Sequence, residues 1–352
     1  MYVVNTTFTI LNEKNIAMSE KGNYILAVIK ASESYDTLAE SLADIITKMQ
    51  DLQKISADDK TFDFEYFLGG DWKFLACVCG IGAGNANHAC IGCKCANLDR
   101  CDTSNHWSIL VPEHGAHILN EILKNAGSKK VNCKSKPLFM FIPLSHVVID
   151  TLHLFLRISD ILINLLIREL KFHDSIEKRT KFSGGFNKGK LRHMAQCKTY
   201  LQELSIPFHW YVGKESKQLE FRELTGPVKV KLFQHINISS LLPNSDNHET
   251  TPKIWDGFWN IIQDQKQDFN HEDVECFKGK VTSWLELFLT VYQAKDVTPY
   301  MHALYAQVPE FLQLYTNLEY FIQQGMEKYD VTSKNFFRSS NHRSFSTSTN
   351  FL

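Results

Sequence analysis

Six of the chain's nine cysteines fall between Cys77 and Cys101, in a stretch without hydrophobic periodicity. From Gly80 to Asn105 the chain is rich in Gly, Ala, Asn and Cys. A segment of that make-up shows neither the helical nor the strand repeat that would let it lean on a core. Something else must fix it, and a bound metal does so. Cys90-Ile91-Gly92-Cys93 has the two-residue spacing that lets both sulfurs reach one tetrahedral zinc from a tight turn, with Cys95 as a candidate third thiolate. Taken alone, the pair is half a site. It needs two more ligands, and unligated, partly buried cysteines fit the same spacing.

The odd cysteine count and the absence of a leader-like start favour reduced thiols in an intracellular protein over a disulfide framework. Lys plus Arg (38) nearly cancels Asp plus Glu (39), so only local clusters can argue for nucleic acid. At 352 residues and 44% apolar content, one large or two modest domains can bury real cores. The most apolar stretch, His146 to Leu170, carries Asp150, His153, Arg157, Asp160, Asn164 and Arg168 on one helical stripe. That pattern predicts a buried helix with one polar face, with no membrane span.

Along the chain, residues 2–11 and Tyr24 to Lys30 read as a strand pair, residues 35–52 as an amphipathic helix and Thr61 to Leu68 as a short strand. Helices follow at roughly 115–125, 146–170, 190–204, 254–266, 274–294 and 299–326, the last kinked at Pro309. The Ser-, Thr- and Asn-rich residues 339–352 are expected to form a disordered tail.

Two carboxylates invite a chemical reading. Asp71 closes Phe67-Leu68-Gly69-Gly70, and Glu327 heads a polar stretch 256 residues later. Acids from separate elements can converge on two divalent metals, although a turn aspartate beside glycines and a solvated helix charge explain each residue singly. The run from Lys178 to Lys198, including Lys188, Lys190 and Arg192, has no acid and carries Gly184-Gly185 in its middle. It reads either as a phosphate-contacting loop or as a solvated connection between helices. His153 reads as a core histidine rather than a ligand.

In this order, several segments resemble the catalytic core shared by the V(D)J recombinase catalytic subunit and Transib-type transposases. Phe62 to Cys93 is similar to the family's succession of strand, catalytic Asp and zinc CxxC. Ile149-Asp150-Thr151-Leu152-His153, Ser183-Gly184-Gly185-Phe186, Tyr300-Met301-His302 with Val308-Pro309-Glu310, and Gly325-Met326-Glu327 resemble four further family segments. The resemblance covers most of the chain up to about residue 338.

It implies an α+β fold: an incomplete RNase H-like mixed sheet with a large helical, zinc-bearing insertion. The corresponding division is 1–79 for the partial RNase H-like domain, 80–298 for the insertion and 299–338 for the closing helix. It also implies metal-dependent DNA nicking and strand transfer with Asp71 and Glu327 as the second and third acids, and Mg or Mn in a complete site. Cys90, Cys93 and His302 would hold a structural zinc; the DNA contacts expected at Lys188, Lys190 and Arg192 come from the acid-free basic run itself. The expected partners are double-stranded DNA and a second copy of the chain in a homodimer, with no membrane, and the implied location is the nucleus.

Two departures stand out. The family's second zinc histidine is matched by Gln307, for which Cys95 or His88 could substitute, and its first catalytic Asp has no match here. The expectation is therefore a transposase-derived, N-terminally truncated DNA-binding protein, inactive as this chain. The alternatives are a nuclease completed by an upstream segment or partner, and a non-enzymatic DNA-binding or interaction protein.

Overall fold

The computed structural model describes residues 4–13, 19–29, 32–128, 130–180, 192–212, 219–242 and 245–322. These divide into two compact units. One draws on Met1–Lys94, Ser108–Leu152 and the chain from Leu318 onward, the other on Cys95–Trp107 and His153–Asn317.

In the first unit, β1 (Val4–Phe8) and β2 (Tyr24–Ile29) pair antiparallel, with a register shift between Thr6 and Thr7. Helix α1 (Tyr35–Asp51) follows, and its apolar repeat puts Leu38 and Leu42 wholly out of water. The strand expected at Thr61 to Leu68 is placed differently. β3 (Lys54–Ala57) and β4 (Lys60–Asp63) form a hairpin of exposed residues, turned by Asp58 and Asp59 at φ 50° and 60°. Aspartate tolerates that left-handed backbone well, which suits a tight two-residue hairpin loop.

Residues 64–68 then run to a single parallel bridge, Leu68 to Val147, where the Leu68 N–H donates to the His146 carbonyl at 2.9 Å and the Val148 N–H donates to Leu68 at 3.0 Å. Helix α2 (Trp72–Val78) and helix α3 (Leu119–Asn125) complete the unit. Among the described residues, every sheet is two-stranded and antiparallel. The architecture is mixed α and β and mostly helical.

The second unit begins with α4 (Thr151–Thr180), longer than the helix expected from the sequence and starting later. Its start is delayed because residues 146–148 are engaged with Leu68 and because Asp150 takes the Leu152 N–H on its carboxylate at 2.9 Å. Next come α5 (Arg192–Glu203), the short pair β5 (Trp210–Val212) and β6 (Leu219–Phe221), α6 (Gly226–His235) and α7 (Ile238–Leu241). Helices α8 (Thr250–Asp264) and α9 (His271–Val291) pack closely. The contact is tight at Gly257, where a Cβ would lie 3.1 Å from the Trp284 ring, and the Trp284 indole N–H donates to Ile254 O at 2.9 Å.

Phe155, Phe233, Trp255, Phe258 and Trp284 form a continuous aromatic core. Each such ring contributes about 1.5–3 kcal/mol when fully buried. The single helix expected over 299–326 is instead two, α10 (Pro299–Ala306) and α11 (Val308–Tyr315). It breaks at Gln307, two residues before Pro309, and stops at Thr316, whose φ of 58° ends helical geometry.

The polar stripe of α4 is spent on ion pairs. Arg168 binds Asp296 through two hydrogen bonds of 2.9 Å, and Asp160 meets Lys229. No helix among the described residues is long and apolar enough to cross a membrane.

Candidate metal centre

The cysteine-rich stretch is pinned from both ends. Asp71 caps α2, its carboxylate accepting the Phe74 N–H at 2.8 Å. At the first residue of that helix, the Trp72 indole N–H donates to Ala89 O at 3.2 Å. Gly80 turns the chain at φ +70°, and a Cβ there would lie 2.1 Å from the Ser135 carbonyl oxygen, so only glycine fits. Ile81 then bridges Cys133, Gly82 donates to Asn132 O at 3.0 Å, and the Asn132 amide donates to His88 O at 2.9 Å.

The loop thus hands Cys90-Ile91-Gly92-Cys93 to a second short bridge, Cys93 to Ala116, flanked by Lys94 N–H to Gly115 O at 2.8 Å and His117 N–H to Gly92 O at 3.1 Å. Inside the turn the Cys93 N–H donates to Cys90 Sγ at 3.4 Å, and the two Sγ atoms stand 3.4 Å apart. Two sulfurs on one tetrahedral zinc at about 2.3 Å each are separated by roughly 3.8 Å, so the pair is close to ligating geometry.

His302 lies on α10, fully buried. Thr298 caps that helix and Pro299 occupies its first position. Trp107 and Tyr305 meet the imidazole edge-on, at ring separations of 6.3 and 5.3 Å. Cys90, Cys93 and His302 present ligand atoms that all lie within 4.8 Å of one another. Two soft thiolates and an imidazole in a buried setting are a donor set that can hold a metal ion, zinc among them.

The two substitutes considered for the fourth ligand lie elsewhere. His88 Nδ1 is engaged with Lys94 O at 2.9 Å, and the Cys95 thiol donates to Ala96 O at 3.3 Å. Neither belongs to the three-residue group. A residue not singled out from the sequence lies beside the CxxC turn. His117 is 5% exposed, and its ring is hydrogen-bonded to the Cys90 backbone. Burial pushes its pKa down, opposed by the neighbouring Cys90. The other cysteines differ in character: burial pushes Cys79 and Cys197 up to about 12, which keeps both as unreactive thiols.

Asp71 is a helix cap, and Glu327, Lys188 and Lys190 lie outside the described residues. Arg192, exposed, opens α5, whose first turn is capped from outside the basic run: buried Asp174 accepts the His193 and Met194 N–H groups at 2.8 and 3.2 Å.

No protein-family model matches the chain, and no curated protein matches it.

Proposed function

We propose that this chain is a transposase-derived DNA-binding protein whose fold is fixed by a structural zinc, and that it does not cut DNA as this chain. The observation that carries the reading is the buried Cys90, Cys93 and His302 group, because those residues are the ones a Transib-type resemblance assigns to zinc. A CxxC turn and a histidine 209 positions after Cys93 have no local reason to meet. In this reading the zinc is structural: it orders a segment that lacks a hydrophobic repeat and does no chemistry on DNA.

The state of Asp71 supports the inactive reading. Its carboxylate is committed to the first turn of α2, where it completes a backbone N–H. The RNase H-like sheet, the helical insertion, a homodimer and nuclear placement belong to the same proposal.

Purified protein is expected to contain about one zinc per chain. It should shift duplex DNA in a gel without sequence preference, and should leave supercoiled DNA intact in Mg or Mn. Nicking that disappears in Asp71→Ala would overturn the inactive reading. Zinc-free protein of unchanged stability would remove the structural zinc.

A further inference from the structure

The chain's charge is unevenly spread. From Lys178 to Lys231 it carries twelve Lys or Arg against four Glu, a net charge of +8 in a chain whose net charge is −1. One of those cations, Lys229, is enclosed against Asp160. The described part of the stretch includes α5 and the β5–β6 hairpin, both within the second unit.

The hairpin has two unlike faces. Trp210 pairs with Phe221 across it, and Phe208 stacks on Phe221 at 5.4 Å and meets Trp210 edge-on at 5.7 Å, so these three rings make the inner face. Lys198 of α5 lies over the Trp210 ring, 5.8 Å from its centroid, which joins the basic helix to the hairpin. Side chains alternate along a strand, so His209 and Tyr211 belong to the outer face. The Arg222 N–H donates to His209 O at 2.8 Å, which carries the pairing one residue further and brings Arg222 onto that same face.

His209, Tyr211 and Arg222 are all exposed, Tyr211 at 52%. Among the described residues no other ring and no side-chain hydrogen bond engages Tyr211. A flat ring thus stands in water beside an imidazole and a guanidinium, on a scaffold locked from behind by the Phe208, Trp210 and Phe221 rings.

We propose that the outer face of the β5–β6 hairpin binds unpaired DNA, with Tyr211 stacking on a base and Arg222 meeting an adjacent phosphate. The inference rests on the DNA-binding reading above and goes further by naming a surface and the form of DNA it takes. Charge complementarity selects an anionic polymer, because the hairpin lies in the stretch that holds the chain's positive excess. The exposed ring then selects among DNA forms. In a duplex each base face is covered by its neighbours in the stack, whereas an unpaired strand opens those faces to an aromatic side chain. Stacking on such a ring beside positive charge gives affinity that tolerates any sequence.

The test uses the full chain with a fluorescently labelled oligo(dT), a duplex of equal length, and heparin as a polyanion without bases. Wild type should bind all three. Tyr211→Ala should weaken oligo(dT) binding about tenfold and leave duplex and heparin affinity within about twofold, while Tyr211→Phe should bind oligo(dT) like wild type. Arg222→Ala should lower the salt slope on oligo(dT) by about 0.7, the share of one phosphate on a single strand, and Tyr211→Ala should leave that slope unchanged. An equal loss on all three ligands, or no loss, overturns the stacking role while leaving DNA binding standing. No binding of wild type to either DNA overturns the DNA-binding reading itself. If Tyr211→Ala does not fold, oligo(dT) carrying 5-iododeoxyuridine is photo-crosslinked to the wild-type chain: attachment at Tyr211 supports the proposal, and attachment only elsewhere, or none, overturns it.

Discussion

Lys229 on α6 places its ammonium 2.6 Å from Asp160 Oδ1 on α4 and donates to Leu156 O on the same helix at 3.0 Å, with its side chain only 4% exposed. A cation this enclosed is held by those two oxygens. Burial raises Asp160 above the usual carboxylate range, and Lys229 acts in the opposite direction. The pair locks α6 against α4.

Lys229→Met should therefore leave a carboxylate that is 14% exposed with only the looser Arg157 pair at 3.8 Å. We expect a loss of about 2–3 kcal/mol in urea unfolding at neutral pH, somewhat below the cost for a fully enclosed pair. Without Lys229 the Asp160 pKa rises further, and a raised carboxylate pKa costs stability above that pKa and nothing once the group is protonated. The deficit should shrink as pH falls through the raised value. The double variant Asp160→Leu, Lys229→Met should recover most of it. A deficit that does not change with pH would show that lost packing, not the stranded charge, dominates.

Metal removal makes the second prediction. A structural zinc contributes about 10–16 kcal/mol of apparent binding free energy in small finger peptides. In a chain that also has a hydrophobic core, chelation should lower the melting temperature by about 10 °C or more without abolishing folding. Cys90→Ser and Cys93→Ser should reproduce that shift and become insensitive to chelator. Differential scanning calorimetry with and without chelator checks both statements.

What could be read in the sequence was what local chemistry decides. The CxxC turn was legible because its two sulfurs are covalently close, and α1 because Leu38 and Leu42 obey the helical repeat. The 54–63 hairpin was not, since its strands are exposed throughout and show no alternation; its one signal was Asp58-Asp59, a pair able to hold left-handed backbone. His302 came from a resemblance, because nothing in its surroundings points to residue 90. His117 was hidden by a helix expected from 115 onward. The helix starts at Leu119, and residues 116–117 pair with the CxxC turn instead, a long-range contact that no local repeat records.

Asp71 offers a third test, separating a cap from a catalytic acid. Asp71→Ala should cost about 1 kcal/mol by removing the acceptor for the Phe74 N–H, while Asp71→Asn keeps an equivalent oxygen and should be close to neutral. A catalytic carboxylate behaves otherwise, since a neutral amide lacks the negative charge with which a carboxylate holds a divalent metal. Equilibrium unfolding gives the first comparison and DNA nicking in Mn the second. Nicking by wild type that Asp71→Asn abolishes would return the residue to an active site.

The basic run gives the last prediction, and its arithmetic follows from counterion release. Each phosphate neutralised adds about 0.9 to the slope of log affinity against log salt on duplex DNA. If Lys188, Lys190 and Arg192 each contact a phosphate, replacing all three by alanine should reduce that slope by about 2–3 and weaken binding similarly on unrelated sequences. Arg192 alone should account for about one unit. It is exposed, and the backbone of the turn it opens is capped by Asp174, so removing its charge should leave α5 folded. Circular dichroism of the variants controls for that. A slope that does not change would place the DNA contacts on another surface. A loss confined to one sequence would mean that base contacts dominate over phosphate contacts, which the positive charge of this segment does not predict.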